Sequence, residues 1–159
     1  MDTISELQKT DSDALNPIKV CFVCTGNTCR SPMAAAVLNE LGAGGYLAMS
    51  AGLMPNEGEP ISVNAVKALE KAGIPCTSDN DYASHRARRI DELMIEGCDR
   101  IIAISKSHFI SLLMCVDPQN AEKIECMPSD IPDPYMGSEE EYQKCLESIT
   151  EGIKELFAL

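Results

Sequence analysis

The chemically most unusual segment of this sequence is a cysteine and an arginine separated only by small or polar residues: Cys24, Thr25, Gly26, Asn27, Thr28, Cys29, Arg30, then Ser31. A loop of that composition can turn successive backbone N–H groups inward, into a nest that holds an anion. Gly26 and Asn27 suit the dihedral angles a nest demands. Arg30 would close it with a planar, two-pronged donor that matches two phosphate oxygens. The positive end of a following helix adds to the same field. Such a field favours the thiolate of Cys24, and the Ser31 hydroxyl can donate to that sulfur as well as cap the helix. A thiolate beneath a bound phosphate can attack phosphorus and form a phosphocysteine. Arg30 and the backbone amides supply the charge stabilisation, so the chemistry needs neither metal nor cofactor.

A leaving atom then needs a proton. Two carboxyl groups lie in the proline-rich stretch PSDIPDPYMG, Asp130 and Asp133. Pro132 and Pro134 stiffen the backbone around Asp133, but the residues alone leave both open. Cys21 and Cys24 form a C-x-x-C, yet no second pair stands at ligand spacing and Cys21 falls inside an apolar run, which disfavours zinc. On residue type alone His85 reads as a satisfied histidine, and His108 as a helix residue without a part in the reaction. Arg86, Arg88 and Arg89 read as partners in surface ion pairs, and Glu139 to Glu141 as the solvated start of a helix.

These side chains need a scaffold. Ile18 to Val23 is a nearly unbroken apolar run, as in a strand buried on both faces. It leads through the loop into SPMAAAVLNELG, a helix with Ser31 as cap, Pro32 in its first turn and Gly42 at its end. Met33, Val37, Leu38 and Leu41 would share its buried face. Further strands are expected at Tyr46–Met49, Arg100–Ile104 and Lys123–Met127. Helices are expected at Ile61–Ala72, Ile90–Glu96, Ser105–Val116 and Glu139–Phe157. Strands alternating with helices predict an α/β three-layer sandwich around a four-stranded parallel sheet. Functional sites in such sheets lie beyond the carboxyl ends of the strands, where Cys24 and Asp133 both fall.

The chain has 159 residues and a net charge of −12. That length suits one domain, read here as residues 18–159 after a polar leader at 1–17. No broad basic face is present to engage nucleic acid, and no apolar run is long enough to span a membrane. The first residues lack the apolar core of a signal peptide. Eight cysteines in such a chain are read as reduced, pointing to the cytoplasm. The expected partner is a phosphorylated protein or peptide.

The segment VCFVCTGNTCRSPMA resembles the signature loop of the low-molecular-weight protein tyrosine phosphatase family. The likeness extends through Ser50–Gly52 (SAG), His85–Arg88 (HRAR), DRIIAIS with Ser107 and His108, and Asp133–Tyr135 (DPY). The resemblance implies Cys24 as nucleophile, Arg30 as phosphate clamp and Asp133 as the acid that later serves as base. It implies that Thr25 to Cys29 and Ser31 surround the phosphate, that Tyr135 flanks the substrate, and that Asn27, Ser50 and His85 hold the loop. Cys29 matches a second loop cysteine that in relatives can form a reversible disulfide with the nucleophile.

The implied activity is hydrolysis of protein phosphotyrosine. Thr28 points to an alternative. Tyrosine phosphatases of this family usually carry an aliphatic residue there, and threonine resembles the protein arginine phosphatase branch. Met136 also stands where many members have a second aromatic, and LMPNEGEP lacks the aromatic that often flanks the pocket. An arsenate reductase would need relay cysteines, for which Cys76 and Cys98 are poorly placed. A non-catalytic phosphate-binding module is disfavoured because nucleophile, clamp and acid candidate are all present.

Overall fold

The computed structural model describes residues 16–159. The expected leader therefore lies almost wholly outside the described residues. Four parallel strands form the sheet in the order β2-β1-β3-β4: β1 (Ile18–Cys24), β2 (Tyr46–Gly52), β3 (Arg100–Ala103) and β4 (Ile124–Cys126). Side-chain alternation along β1 builds both layers. Val20 and Phe22 enter one core, with Ile102, Ile149 and Ile153, while Cys21 and Val23 enter the other, with Ile101 and Leu112.

The first core is covered by α1 (Arg30–Leu41), α2 (Val63–Lys71) and α5 (Glu139–Phe157), and the second by α3 (Glu92–Gly97) and α4 (Lys106–Cys115). Short 3₁₀ turns occur at Tyr82–Ser84 and Pro118–Lys123, which the apolar periodicity did not indicate. β2 runs three residues past its expected end at Met49, because Ser50, Ala51 and Gly52 stay in register with Phe22, Val23 and Cys24. The small residues of that extension bring a second strand level with the end of β1.

The start of α1 differs from expectation. The helix begins at Arg30, with Cys29 in the cap position and no side-chain cap. Ser31 is inside the helix, and its hydroxyl is spent elsewhere. Nor is only one face of α1 buried: every residue from Arg30 to Leu38 is. Ala34, Ala35 and Ala36 make this possible, since their short side chains let the helix fit between the sheet and its neighbours. The other boundaries shift by a residue or two, as fraying ends do. α5 begins at Glu139 as expected, capped by Ser138, whose Oγ accepts from the Glu141 N–H at 3.2 Å.

Phe157 anchors the far end of α5. Its ring lies 5.1 Å from that of Tyr46 and 6.3 Å from that of Phe22. The Arg100 guanidinium sits 4.3 Å above the Phe157 ring and makes a two-pronged pair with Glu125 at 2.6 and 2.7 Å. This tie joins β3, β4 and α5 at the end of the sheet away from the loop.

Candidate active site

The loop from Cys24 to Arg30 lines a pocket of about 370 Å³, together with Met54, Glu59, Asp133 and Tyr135. Cys24 is the last residue of β1 and is 3 % exposed. Its sulfur lies 2.9 Å from Ser31 Oγ. Asn27 shares the same hydroxyl. Its Nδ2 donates to Ser31 Oγ at 2.8 Å and to Ser50 Oγ at 3.0 Å. An amide nitrogen only donates, so the Ser31 oxygen accepts from Asn27, and its own proton is free to turn to the Cys24 sulfur.

Asn27 is held from every side. It is fully buried, its φ is 58°, its Oδ1 accepts from the Arg88 N–H at 3.0 Å, and its carbonyl meets His85 Nε2 at 2.7 Å. The left-handed backbone is one that asparagine tolerates better than most residues. Gly26, expected to share that burden, has no positive φ, and a β-carbon added there would meet nothing. The bare face of Gly26 simply leaves room in the pocket. Gly52 is the glycine under pressure: a β-carbon there would come within 2.6 Å of the Thr25 carbonyl. The SAG segment thus packs its backbone against the loop, and Leu53 and Met54 donate N–H groups to the Cys24 and Thr25 carbonyls at 2.9 and 3.1 Å.

Arg30 is 8 % exposed and anchored by Nη1 donating to the Ile131 carbonyl at 3.1 Å. Its Nη2 lies 3.5 Å from Asp133 Oδ2. Of the two carboxyl groups, Asp133 lines the pocket and Asp130 does not. Asp133 Oδ1 accepts from the Tyr135 N–H at 3.1 Å. Asp130 instead accepts from the Lys106 N–H at 2.8 Å, at the start of α4. Thr28 is buried in the pocket wall, and its carbonyl accepts from the Ser62 N–H at 2.9 Å just before α2. Cys29 Sγ lies 3.2 Å from the Tyr142 hydroxyl. Burial chiefly pushes the Cys29 thiol up and the Tyr142 hydroxyl to about 12, so both stay protonated at neutral pH.

His108 is a helix residue as read, and its ring also reaches the loop. It is 4 % exposed, with Nε2 2.9 Å from Thr25 Oγ1 and Nδ1 2.8 Å from Ser105 Oγ. Burial, then the Arg30 charge, lowers it to about 4. It is therefore a neutral ring wedged between the loop and the end of β3. The signal for it was weak: a histidine three residues past the serine that follows an apolar strand. The arginine cluster differs from expectation. Arg88 Nε donates to the Ser50 carbonyl at 3.2 Å, Arg86 Nη1 donates to the His85 carbonyl at 3.0 Å, and the Arg89 N–H donates to Glu57 at 3.2 Å. Among the described residues the guanidinium groups of Arg86 and Arg88 bind carbonyls, and none of the three pairs with a carboxylate. Cys21 and Cys24 lie on opposite faces of the sheet, so that C-x-x-C does not form a paired site. Neither Cys76 nor Cys98 lines the pocket.

The sequence model described as low molecular weight phosphotyrosine protein phosphatase matches residues 19–159. The chain belongs to this family. Its chemistry is that of a cysteine-based phosphatase. A protein-arginine-phosphatase of Geobacillus stearothermophilus is 33% identical over 134 residues, covering 80% of this chain and 85% of the relative. A low molecular weight protein-tyrosine-phosphatase of Streptomyces coelicolor is 30% identical over 150 residues, covering 82% and 86%. Among solved structures, a low molecular weight protein tyrosine phosphatase from T. tengcongensis superposes with a TM-score of 0.80 at 36% identity, covering 89% of this chain and 98% of that one. The phosphatase fold, its parallel sheet and the loop after β1 are those expected from the sequence.

Proposed function

We propose that this phosphatase dephosphorylates protein side chains through a phosphocysteine formed on Cys24. The observation that carries the reading is the hydrogen-bonded chain of Asn27, Ser31 and Cys24, at the floor of a pocket that also holds Arg30 and Asp133. The loop amides and Arg30 bind the phosphate oxygens. The Cys24 thiolate forms an S–P bond as the bond from phosphorus to the leaving atom breaks. Asp133 gives that atom its proton. Water then attacks phosphorus, passes a proton to Asp133, and inorganic phosphate leaves with return of the thiolate. Ser50 and His85 act by holding Asn27. Eight free cysteines fit a reducing compartment such as the cytoplasm.

The pocket walls favour phosphoarginine as the substrate residue. Thr28 presents a small polar wall, and Met54, Pro55 and Asn56 line the pocket along with Tyr135, which is its one aromatic lining residue. A guanidinium leaving group can pair with the Asp133 carboxylate. Phosphotyrosine is the second reading, supported by Tyr135, which is 63 % exposed at the mouth and able to stack on a ring. Turnover of phosphoarginine and phosphotyrosine peptides by the wild type and Thr28→Ile separates the two. The expected result is a shift of about tenfold or more towards phosphotyrosine in the variant. An unchanged preference would remove the case for arginine.

A further inference from the structure

The phosphate pocket continues past Tyr135. A second groove of about 440 Å³ opens beside it, and Thr28, Glu59 and Tyr135 line both. Its far walls are Val63, at the start of α2, and the turn that carries Met136. Val63 is 70 % exposed and Met136 is 86 % exposed. Met136 is also held at a φ of 61°, a left-handed conformation that a methionine adopts only under constraint. The constraint is visible: the Gly137 N–H donates to the Pro134 carbonyl at 2.7 Å, and Asn64 Nδ2 donates to the Gly137 carbonyl at 3.3 Å. The turn is tied to α2, and the groove has two apolar lips.

Glu59 gives the groove its charge. It stands exposed on the edge common to both cavities, and among the described residues its side chain makes neither a hydrogen bond nor an ion pair. Lys67, one turn further along α2 than Val63, is already held by Glu139 at 2.9 Å. An unneutralised carboxylate beside an anion pocket opposes a phosphorylated substrate unless the substrate brings a cation of its own.

We propose that this groove is a subsite for a lysine or arginine neighbouring the phosphorylated residue of the substrate protein. Its aliphatic stem lies between Val63 and Met136, and its charged head meets Glu59. Successive residues of an extended chain advance roughly 3.3–3.6 Å, so a groove sharing a wall with the phosphate pocket takes a close neighbour in sequence rather than a remote segment. The proposal rests on the phosphatase reading and holds for phosphoarginine and phosphotyrosine alike.

The test uses pairs of phosphopeptides that differ only in having lysine or alanine beside the phosphorylated residue, on either side. For each enzyme variant the readout is the ratio of kcat/KM for the lysine peptide to that for the alanine peptide. A general loss of folding or activity cancels from this ratio. The wild type should favour lysine about three- to fivefold, as an exposed ion pair allows, and less at high salt. Glu59→Gln should bring the ratio close to one, and Glu59→Lys should invert it. Val63→Lys, which places a cation on the opposite lip, should lower the ratio too. A wild-type ratio of one, or an undiminished ratio in Glu59→Lys, overturns the subsite. Failure of the wild type to release phosphate from both phosphoarginine and a simple aryl phosphate would overturn the phosphatase reading instead, and the two results are read in separate assays.

Discussion

The back and the mouth of the phosphate pocket are built on opposite terms. Behind the loop, Asn27, Ser31 and Ser50 are buried and cross-linked by bonds of 2.8 to 3.0 Å, and the loop is pressed against Gly52. At the mouth, Met54, Glu59, Tyr135 and Met136 stand in solvent on a loop and a turn. The back permits one geometry, because any vacancy there strands a buried polar group. The mouth can change side chains at little cost to folding. Chemistry is therefore lodged in the rigid part and substrate choice in the tolerant one.

Removing the proton donor should separate the two Asp residues most sharply. Asp133→Asn should lower kcat on a phosphopeptide by about 10²–10⁴-fold while binding of a phosphate analogue changes little. Asp130→Asn should leave kcat within a few-fold, because its carboxylate serves α4. Equal losses in steady-state kinetics would take the proton-donor role away from Asp133.

Asn27 tests the rigidity of the back. Asn27→Ala puts at φ 58° a residue that tolerates the left-handed region less well than asparagine, and it strands Ser31, Ser50 and the Arg88 N–H. A loss of about 3 kcal/mol in denaturant unfolding is expected, with a large fall in kcat. Asn27→Gly relieves the backbone but not the missing bonds. It should recover part of the stability and none of the activity; recovery of both would mean the amide has no positioning role.

His108 sharpens the comparison through pH. Its folded value of about 4 lies below its ordinary 6.5, so between these values the unfolded chain binds the extra proton. Its contribution is complete above about pH 6.5 and is lost as the pH falls towards 4. His85 is lowered as well, chiefly by burial, and adds to the trend with the same sign. In unfolding measurements across that window, His108→Ala should show a shallower slope than the wild type. An identical slope would mean the ring is not held neutral.

The smallest effect belongs to the mouth. Met136→Gly should raise stability by roughly 1 kcal/mol or leave it unchanged, since glycine adopts φ 61° without strain but loosens the unfolded chain. A clear destabilisation would show that the mouth is packed as tightly as the back.

What could be read in advance divides along the same line. The strand–loop–helix frame was legible because β1 buries alternate residues on two faces and α5 carries a cap and a periodic apolar face. Cys24 and Arg30 stood out because no apolar residue interrupts the loop. Asp133 could not be told from Asp130 by residue type, because the difference lies in which one reaches the α4 amide. His108 was hidden for a related reason. Its partners, Thr25 and Ser105, are 83 and 3 positions away, and only folding brings the former within reach.

The sheet also partitions the thiols. Cys21 and Cys24 are near neighbours along the chain, yet the first looks into the layer under α3 and α4 and the second into the pocket. A reagent that grips two adjacent sulfurs at once, such as a trivalent arsenical, finds no such pair along this strand while the protein is folded. Uptake of such a probe by these two residues would thus report unfolding rather than occupancy of the catalytic centre.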